Sequence, residues 1–389
     1  MAYLKELVNK PISGEWGSDG KGIKVLRTTN FTNKGILNFD SVVTRDISAK
    51  IIEQKKLQKG DLIIEKSGGS PTQPVGRVVY FDEDGDFVCN NFTSILRPKK
   101  EKVFPKYLHH MLFANHKFGR TKMFQNKTTG IINLQLTRYL EKSHIPLPPL
   151  EIQKKIAQIL DDATALQNKT EQLIKEYDVL AQSIFFDMFG DLVNNQKKWN
   201  LVRFGDVFKS IIYGTSTPPI YQNEGIPFIR ATNIKKGGVS KKGMVYISEE
   251  EASKILKCKL SESDLIIVRS GANTGDCGRI PEKYIDSYGG FDLIIKIEEP
   301  HSVFCNFLLN TKAAKAKLDP LTRRAGQPHL NSKQISEFQI LNPPIELKHQ
   351  FSEKLGLIEK QKELAKQELK ESQDLFNCLL QKAFKGELI

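Results

Sequence analysis

The chain is written twice, and this duplication limits its fold more than any other feature. Pro148-Pro149-Leu150-Glu151-Ile152 opens a polar-apolar stretch closing at Phe189, and Pro343-Pro344-Ile345-Glu346-Leu347 opens another closing at Phe384. Both ends are displaced by 195 positions (343 − 148 and 384 − 189). Upstream, Leu26-Arg27-Thr28-Thr29-Asn30 matches Ile229-Arg230-Ala231-Thr232-Asn233, and Gly60-Asp61-Leu62-Ile63-Ile64 matches Ser263-Asp264-Leu265-Ile266-Ile267, at a displacement of 203 (229 − 26). Lys66-Ser67-Gly68 pairs with Arg269-Ser270-Gly271, and Gly76-Arg77 with Gly278-Arg279. Asn91-Phe92 pairs with Gly290-Phe291, and Thr129-Gly130 with Ala325-Gly326, where the displacement has drifted to 196 (325 − 129). Constant displacement marks a fixed frame, and drift marks loops of variable length.

The order is globular, helical, globular, helical. Short β-rich runs at 60–65, 75–81, 87–96, 265–269 and 291–297 are punctuated by Gly, Asn, Asp and Pro, with helical stretches near 107–118 and 303–318. Each globular part is therefore expected to be mixed α+β. In the first helical part Ile152, Ile156, Ile159, Ala163, Leu166, Thr170, Leu173, Tyr177, Leu180 and Ile184 recur at spacings of four and three, the seam of a coiled coil. Leu347, Phe351, Leu355, Ile358, Ala365, Leu369, Phe376, Leu379 and Ala383 repeat the rhythm, with Lys362 and Ser372 as polar gaps. The two helices are expected to pair with each other, antiparallel, giving an internal pseudo-twofold. About 35 residues at about 1.5 Å each make a spacer of about 50 Å.

Composition narrows the partners. Lysine and arginine total 58 against 45 acids, a net charge of +13, which favours a polyanion through attraction and counterion release. The longest apolar runs, such as 62–64 and 265–268, are far below the roughly 20 residues a membrane span needs. Residues 1–6 carry no apolar signal core, so no membrane association and a cytoplasmic location are expected. Cys89, Cys258, Cys277, Cys305 and Cys378 form no C-x-x-C pair, and the histidines form no H-x-x-x-H pair; His109-His110 reads as a helix surface. Neither a metal nor a cofactor is expected.

Catalytic motifs fail on inspection. Asn342-Pro343-Pro344-Ile345 resembles the Asn-Pro-Pro-aromatic motif of amino-methyltransferases, but Ile345 replaces the stacking ring and Leu147-Pro148-Pro149-Leu150 lacks the asparagine. Proline at a helix start explains both. No glycine-rich loop after a strand accompanies it, so binding of S-adenosylmethionine is not expected. Residues 14–22 around Lys21 miss the phosphate-loop spacing, and Asp292, Glu298 and Lys296 only loosely imitate a nuclease core.

Taken together, Ile145-Pro146-Leu147-Pro148-Pro149-Leu150-Glu151-Ile152-Gln153, the segment 199–216 with Phe204-Gly205-Asp206-Val207 and Gly214-Thr215-Ser216, and Gly326-Gln327-Pro328-His329-Leu330-Asn331 resemble specificity subunits of Type I restriction-modification systems along the whole chain. The resemblance implies an α+β protein with target recognition domains at 1–147 and 193–342 and conserved spacer helices at 148–192 and 343–389. It also implies a non-catalytic reader of a bipartite site in double-stranded DNA. Two methyltransferase (modification) subunits would dock on the helices, and restriction (translocase/nuclease) subunits would join them. The competing readings are a self-contained DNA adenine methyltransferase or nuclease, which rests on the Asn342 motif, and a coiled-coil scaffold.

Duplex recognition needs cations and amides for phosphates, and Arg, Lys, Asn or Gln for base edges. Candidates cluster as Lys122, Gln125, Asn126, Lys127 and Thr128 in the first half, and as Arg323, Arg324, Gln327 and His329 in the second. A further set follows the β-runs: Lys66, Ser67 and Arg77, then Arg269, Ser270, Asn273, Thr274 and Arg279. These serve equally well as contacts or as structural turns. Arg27, Thr28, Asn30, Arg230, Thr232 and Asn233 recur between copies, which suits a shared turn; residues that read different half-sites should differ.

Overall fold

A computed structural model describes residues 1–128, 131–235, 237–323 and 327–388, with Lys127 and Thr128 described by their backbone alone. The chain divides into two compact units, Met1–Gln172 with Lys366–Ile389, and Leu173–Ala365. Both divisions fall inside a long helix, so each unit holds one globular part, the nearer portion of one helix and the nearer portion of the other.

In the first unit a four-stranded antiparallel sheet runs in the order Ile12–Ser13, Thr93–Leu96, Leu62–Glu65, Val78–Tyr80. The second unit repeats it as Ser210–Tyr213, Leu293–Lys296, Leu265–Ile267, Cys277–Arg279. The unbroken apolar runs exist because both sheet faces are covered. Successive side chains point to opposite faces: Leu62 and Ile64 enter the core beneath the helix Pro105–Lys117, while Ile63 enters a separate core with Leu26, Val79 and Phe81. Leu265 and Ile267 are likewise parted from Ile266. Burying each such side chain contributes about 1.5–3 kcal/mol.

A three-stranded sheet with one parallel pair stands beside each: Val43–Asp46, Ser18–Leu26, Phe87–Cys89 in the first unit, and Val245–Ile247, Ile226–Ile229, Tyr288–Gly289 in the second. A two-stranded ribbon closes each globular part, Ala2–Tyr3 with His144–Ile145 and Leu201–Arg203 with Gln339–Leu341. The recurring Arg-x-x-Asn segments are indeed one turn used twice. Arg27 N donates to Asn30 Oδ1 at 2.9 Å and Arg230 N to Asn233 Oδ1 at 3.1 Å, while each asparagine amide donates onward to a loop carbonyl. Gly14 and Gly214 occupy equivalent crossings, where an added Cβ would lie 2.0 Å from Asn90 O and 1.4 Å from Gly290 O. Glycine there serves close backbone approach rather than phosphate binding.

Some expectations shift. His109 and His110 are buried: His109 Nε2 lies 3.0 Å from Gly35 O and burial pushes its pKa down to about 3, while His110 lies 2.7 Å from Asp161. The stretch near 303–318 is two helices, His301–Leu309 and Lys312–Thr322, because Thr311 caps the second by accepting from Ala314 N.

The long helices are Leu150–Phe189 and Ile345–Lys385. In the first unit Ile156, Ala157 and Leu160 share a core with Phe376, Leu380, Ala383 and Phe384, and Gln167 Nε2 donates to Ser372 O at 3.1 Å. In the second, Phe185 and Phe189 pack on Phe351, and Lys362 pairs with Asp178. The beginning of each helix therefore lies against the end of the other, an antiparallel pair. The second helix buries or half-buries its whole expected seam. The first keeps Ile152, Ile156, Ile159, Ala163, Thr170, Tyr177 and Ile184 buried or half-buried, but beyond Ala163 the positions between them are taken by Gln167, Ile174 and Ala181. Leu166, Leu173 and Leu180 are exposed. The leucines dominate the sequence pattern, whereas the inward-facing residues lie one position later, at Gln167, Ile174 and Ala181.

Among the described residues no helix is long and apolar enough to cross a membrane, and no cluster of His, Cys, Asp or Glu could hold a metal. All five cysteines are free.

Candidate nucleic-acid interface

In the second unit the chain leaves the central strand at Val268 and presents Arg269 between two rings. Its guanidinium carbon lies 4.7 Å from the Tyr213 centroid and 4.3 Å from that of Phe291. Tyr213 is fixed by its hydroxyl, which donates to Ser332 Oγ and accepts from Ser332 N, both at 2.9 Å. Arg269 Nη2 donates to His329 Nε2 at 3.1 Å, and Leu330 N donates to Arg269 O at 2.8 Å. The loop candidates are thereby drawn beside the strand candidates: Ser270 bridges to His329, and Thr274 Oγ1 donates to Gly271 O at 2.7 Å. Beneath, Asp292 Oδ1 accepts from Arg269 N at 3.1 Å; burial pushes its pKa up to about 6. A stacked guanidinium keeps its planar fork oriented, which suits paired bonds to a base edge or a phosphate.

The first unit builds the same platform from other side chains. Lys66 takes the place of Arg269, and its Nζ donates to Ser13 Oγ at 2.5 Å, where Ser13 stands at the strand position of Tyr213. Phe92 stands where Phe291 does, and both rings are exposed, 44% and 46%. Partial burial lowers the Lys66 ammonium. Ser67–Gly69 pairs with Ile131–Leu134, which forms a hairpin with Gln125–Thr128, and Ser67 Oγ donates to Asn133 Oδ1 at 2.5 Å. The fold thus brings members of the two candidate sets together, Ser67 beside the strand that pairs with Gln125–Thr128 in one half, and Arg269 and Ser270 beside His329 in the other.

The remaining candidates divide. Lys122, Asn126, Asn273, Arg323 and Gln327 are exposed. Gln125 is half-buried, with Nε2 donating to Val75 O at 2.9 Å. Arg77 is internal: it is 8% exposed, bonds Glu65 through Nε and Nη2 at 2.9 Å each, and donates to the carbonyls of Phe31 and Thr28. Arg279 is half-buried against Ser263, Ser302 and Glu299. Both arginines hold the frame. Arg324, like Thr129, Gly130, Ala325 and Gly326, lies outside the described residues, as do the side chains of Lys127 and Thr128.

Sequence reasoning missed Ser13, Tyr213, Phe92, Phe291 and Asn133 as members of the platform. The aligned pair Phe92 and Phe291 was the available signal. The nuclease-like trio is dispersed: Lys296 pairs with Asp264, Glu298 with Lys209, and Asp292 sits under Arg269. Asn342 Oδ1 accepts from Lys348 at 2.8 Å, so the oxygen a methyltransferase asparagine would turn to a base is occupied.

Comparison with known proteins agrees with the duplication. The family model described as Type I restriction modification DNA specificity domain matches residues 9–176 and again 196–372. The specificity subunit of the Type I restriction enzyme EcoKI from Escherichia coli strain K12 is 23% identical, covering 94% of this chain and 82% of that protein. The putative MjaX specificity subunit of Methanocaldococcus jannaschii is 24% identical over 94% of this chain and 87% of its own. A crystal structure of a Type-I restriction-modification S subunit from M. genitalium shares the fold, with a TM-score of 0.57 at 15% identity, covering 98% of this chain and 95% of that one.

Proposed function

The chain belongs to the Type I restriction modification DNA specificity family, and on that premise we propose that its two platforms each read one half of a bipartite site in double-stranded DNA. The carrying observation is that one frame, the Arg-x-x-Asn turn, the four-stranded sheet and the exposed Phe92 or Phe291, is repeated while the cation it presents changes from Lys66 to Arg269. Repeated parts suit a common task, and the differing side chains suit different base sequences. Lys66, Ser67, Lys122, Asn126, Lys127 and Thr128 would serve one half-site; Arg269, Ser270, Asn273, Thr274, Arg323, Arg324, Gln327 and His329 would serve the other.

The chain would carry no catalysis itself. Methylation at adenine N6 would fall to two modification subunits that extrude the base, and cleavage to restriction subunits, all in the cytoplasm. Exposed leucines of the long helices in the second unit, Leu173 and Leu180 on one and Leu357 and Leu364 on the other, offer apolar area for docking. Mapping methylated adenines in a host that carries this chain and its methyltransferase tests the reading. Two fixed half-sites around a constant unread gap are expected; a continuous site, or methylation without sequence preference, would end it. Removing one heptad from each long helix should change the gap, and an unaltered gap would deny the helices their spacing role.

A further inference from the structure

Lys348 lies in the first turns of the second long helix, is 2% exposed, and has no acidic partner among the described residues. Its ammonium donates to Asn342 Oδ1 at 2.8 Å and to His301 Nδ1 at 3.3 Å, both neutral acceptors, and stands 5.3 Å from the Phe304 ring centroid. Burial lowers its pKa. The equivalent place in the first unit, 195 positions earlier, holds Gln153. There an uncharged amide meets the needs of the frame by accepting from Phe104 N and donating to Pro148 O, both at 2.8 Å. The second unit thus buries a cation where the fold requires only an amide. A buried charge without a counter-charge is costly, and nothing described in this unit offsets it.

What surrounds Lys348 shows what could. It lines a cavity of about 620 Å³ with Lys198, Trp199, Asn200, His301 and Asn342, and no acidic residue takes part. Two of the three ammonium hydrogens are taken by Asn342 and His301, which leaves one for the cavity. Because His301 Nδ1 accepts from the ammonium, its proton resides on Nε2, which becomes a donor. The Asn342 oxygen is likewise engaged, so its amide N–H groups are what remain to offer. The first turn of the 41-residue helix, which carries Glu346 outside the cavity lining, forms the same wall through Ile345 and Lys348. Donors, two lysines and a helix start converge on one concavity.

We propose that this cavity binds a phosphate-type oxyanion, held by Lys348 and Lys198 with His301 and Asn342 as hydrogen-bond donors. The anion supplies the counter-charge that Lys348 lacks. Its source is either a free phosphate group, alone or on a nucleotide, or the backbone of a nucleic acid, the same chemistry in each case.

The test uses the full chain, with inorganic phosphate as the probe and chloride of equal ionic strength as the reference. Phosphate should raise the unfolding temperature saturably, as a ligand of the folded state does, and should bind in calorimetry. Lys348→Gln borrows the residue the other unit already accommodates. It should start with equal or greater stability in chloride and bind phosphate at least about tenfold more weakly, the loss of a charge-assisted bond. Lys198→Ala, at an exposed position, should leave stability alone and weaken phosphate severalfold. Displacement of phosphate by duplex DNA lacking the recognised sequence would assign the anion to the nucleic-acid backbone; persistence beside saturating duplex would assign it to a free phosphate or nucleotide. Absence of saturable phosphate binding overturns the proposal, as does a full phosphate response in Lys348→Gln. Should that variant fail to fold, an unchanged response in Lys198→Ala overturns it instead.

Discussion

Two platforms on one frame differ most at a single cation. In the second unit Arg269 is caged between Tyr213 and Phe291 and rests on a buried carboxylate, Asp292. In the first, Lys66 leans on a serine hydroxyl, and Thr93 holds the strand position of Asp292, its hydroxyl donating to Asn90 O. Stacking and a planar fork give Arg269 one preferred direction, whereas an ammonium on a flexible stem favours a charge over a pattern. The contrast teaches where the duplicated fold tolerates change: the strand positions and the exposed phenylalanine recur, while the cation and the side chains that hold it, Tyr213 against Ser13 and Asp292 against Thr93, change together.

The largest effect should come from attacking the frame. Arg77→Ala removes one partner of a buried pair whose side chains are 10% and 4% exposed, and should cost about 3–5 kcal/mol. Urea unfolding would read it. Its counterpart Arg279, paired with the half-exposed Glu299, should cost about 1 kcal/mol or less when changed to alanine. Equal losses at the two positions would break the distinction drawn between them.

Next comes Asp292. Burial raises its folded pKa from 3.8 to about 6, so the native state holds a proton that the unfolded chain releases. The stability this confers is complete below about pH 4 and is lost as pH rises through about 6. Asp292→Asn, neutral throughout, should therefore match the parent near pH 4 and exceed it by up to about 3 kcal/mol at pH 7. Thermal unfolding across that range would show it. A pH-independent difference would mean that the carboxylate is stabilised by Arg269 more strongly than burial opposes it.

The legibility of the molecule follows the same division. The displacement of 195 positions between Pro148 and Pro343 exposed the doubled plan, because helices cannot gain or lose residues without losing their seam. The second helix could be read nearly residue by residue along its seam, since every expected seam position is buried or half-buried, although Leu357, Leu364 and Leu375 stand exposed beside it. The first could not. Leu166, Leu173 and Leu180 carry the strongest apolar signal yet face outward, while Gln167 and Ala181 face the partner. Periodicity reports a stripe but not which of two adjacent stripes a neighbour will cover. Lys66 and Arg269 were visible as aligned cations, but their supports were not. Ser13 and Tyr213 reach them only through sheet pairing across more than fifty residues, information that spacing along a chain does not hold. The internal fate of Arg77 was hidden likewise, because its partner Glu65 comes opposite it only when the strands Leu62–Glu65 and Val78–Tyr80 pair.

A smaller effect should separate base reading from charge. Arg269→Ala should cost about 1–3 kcal/mol at its own half-site and leave the other half-site untouched. Competition binding to duplexes altered in one half at a time would detect it. Arg269→Lys tests the comparison directly, since it installs the first unit's cation between the second unit's rings. If stacking orients the fork, lysine should recover nonspecific affinity but not discrimination; full recovery would reduce the cage to a source of charge.

The smallest effect should be that of Lys122, exposed just before the strand Gln125–Thr128 and, among the described residues, held by no side-chain bond that ties it to the frame. If it meets a phosphate, Lys122→Ala should weaken binding to every duplex alike and lower the slope of log affinity against log salt by about 1. The loss should be largest in dilute buffer and nearly vanish at high salt, because the gain it removes is released counterions. Arg269→Ala should keep its discrimination deficit at both salt concentrations. A Lys122 variant that instead changed the preferred bases, with the slope intact, would move the reading function of the first unit from Lys66 to this hairpin.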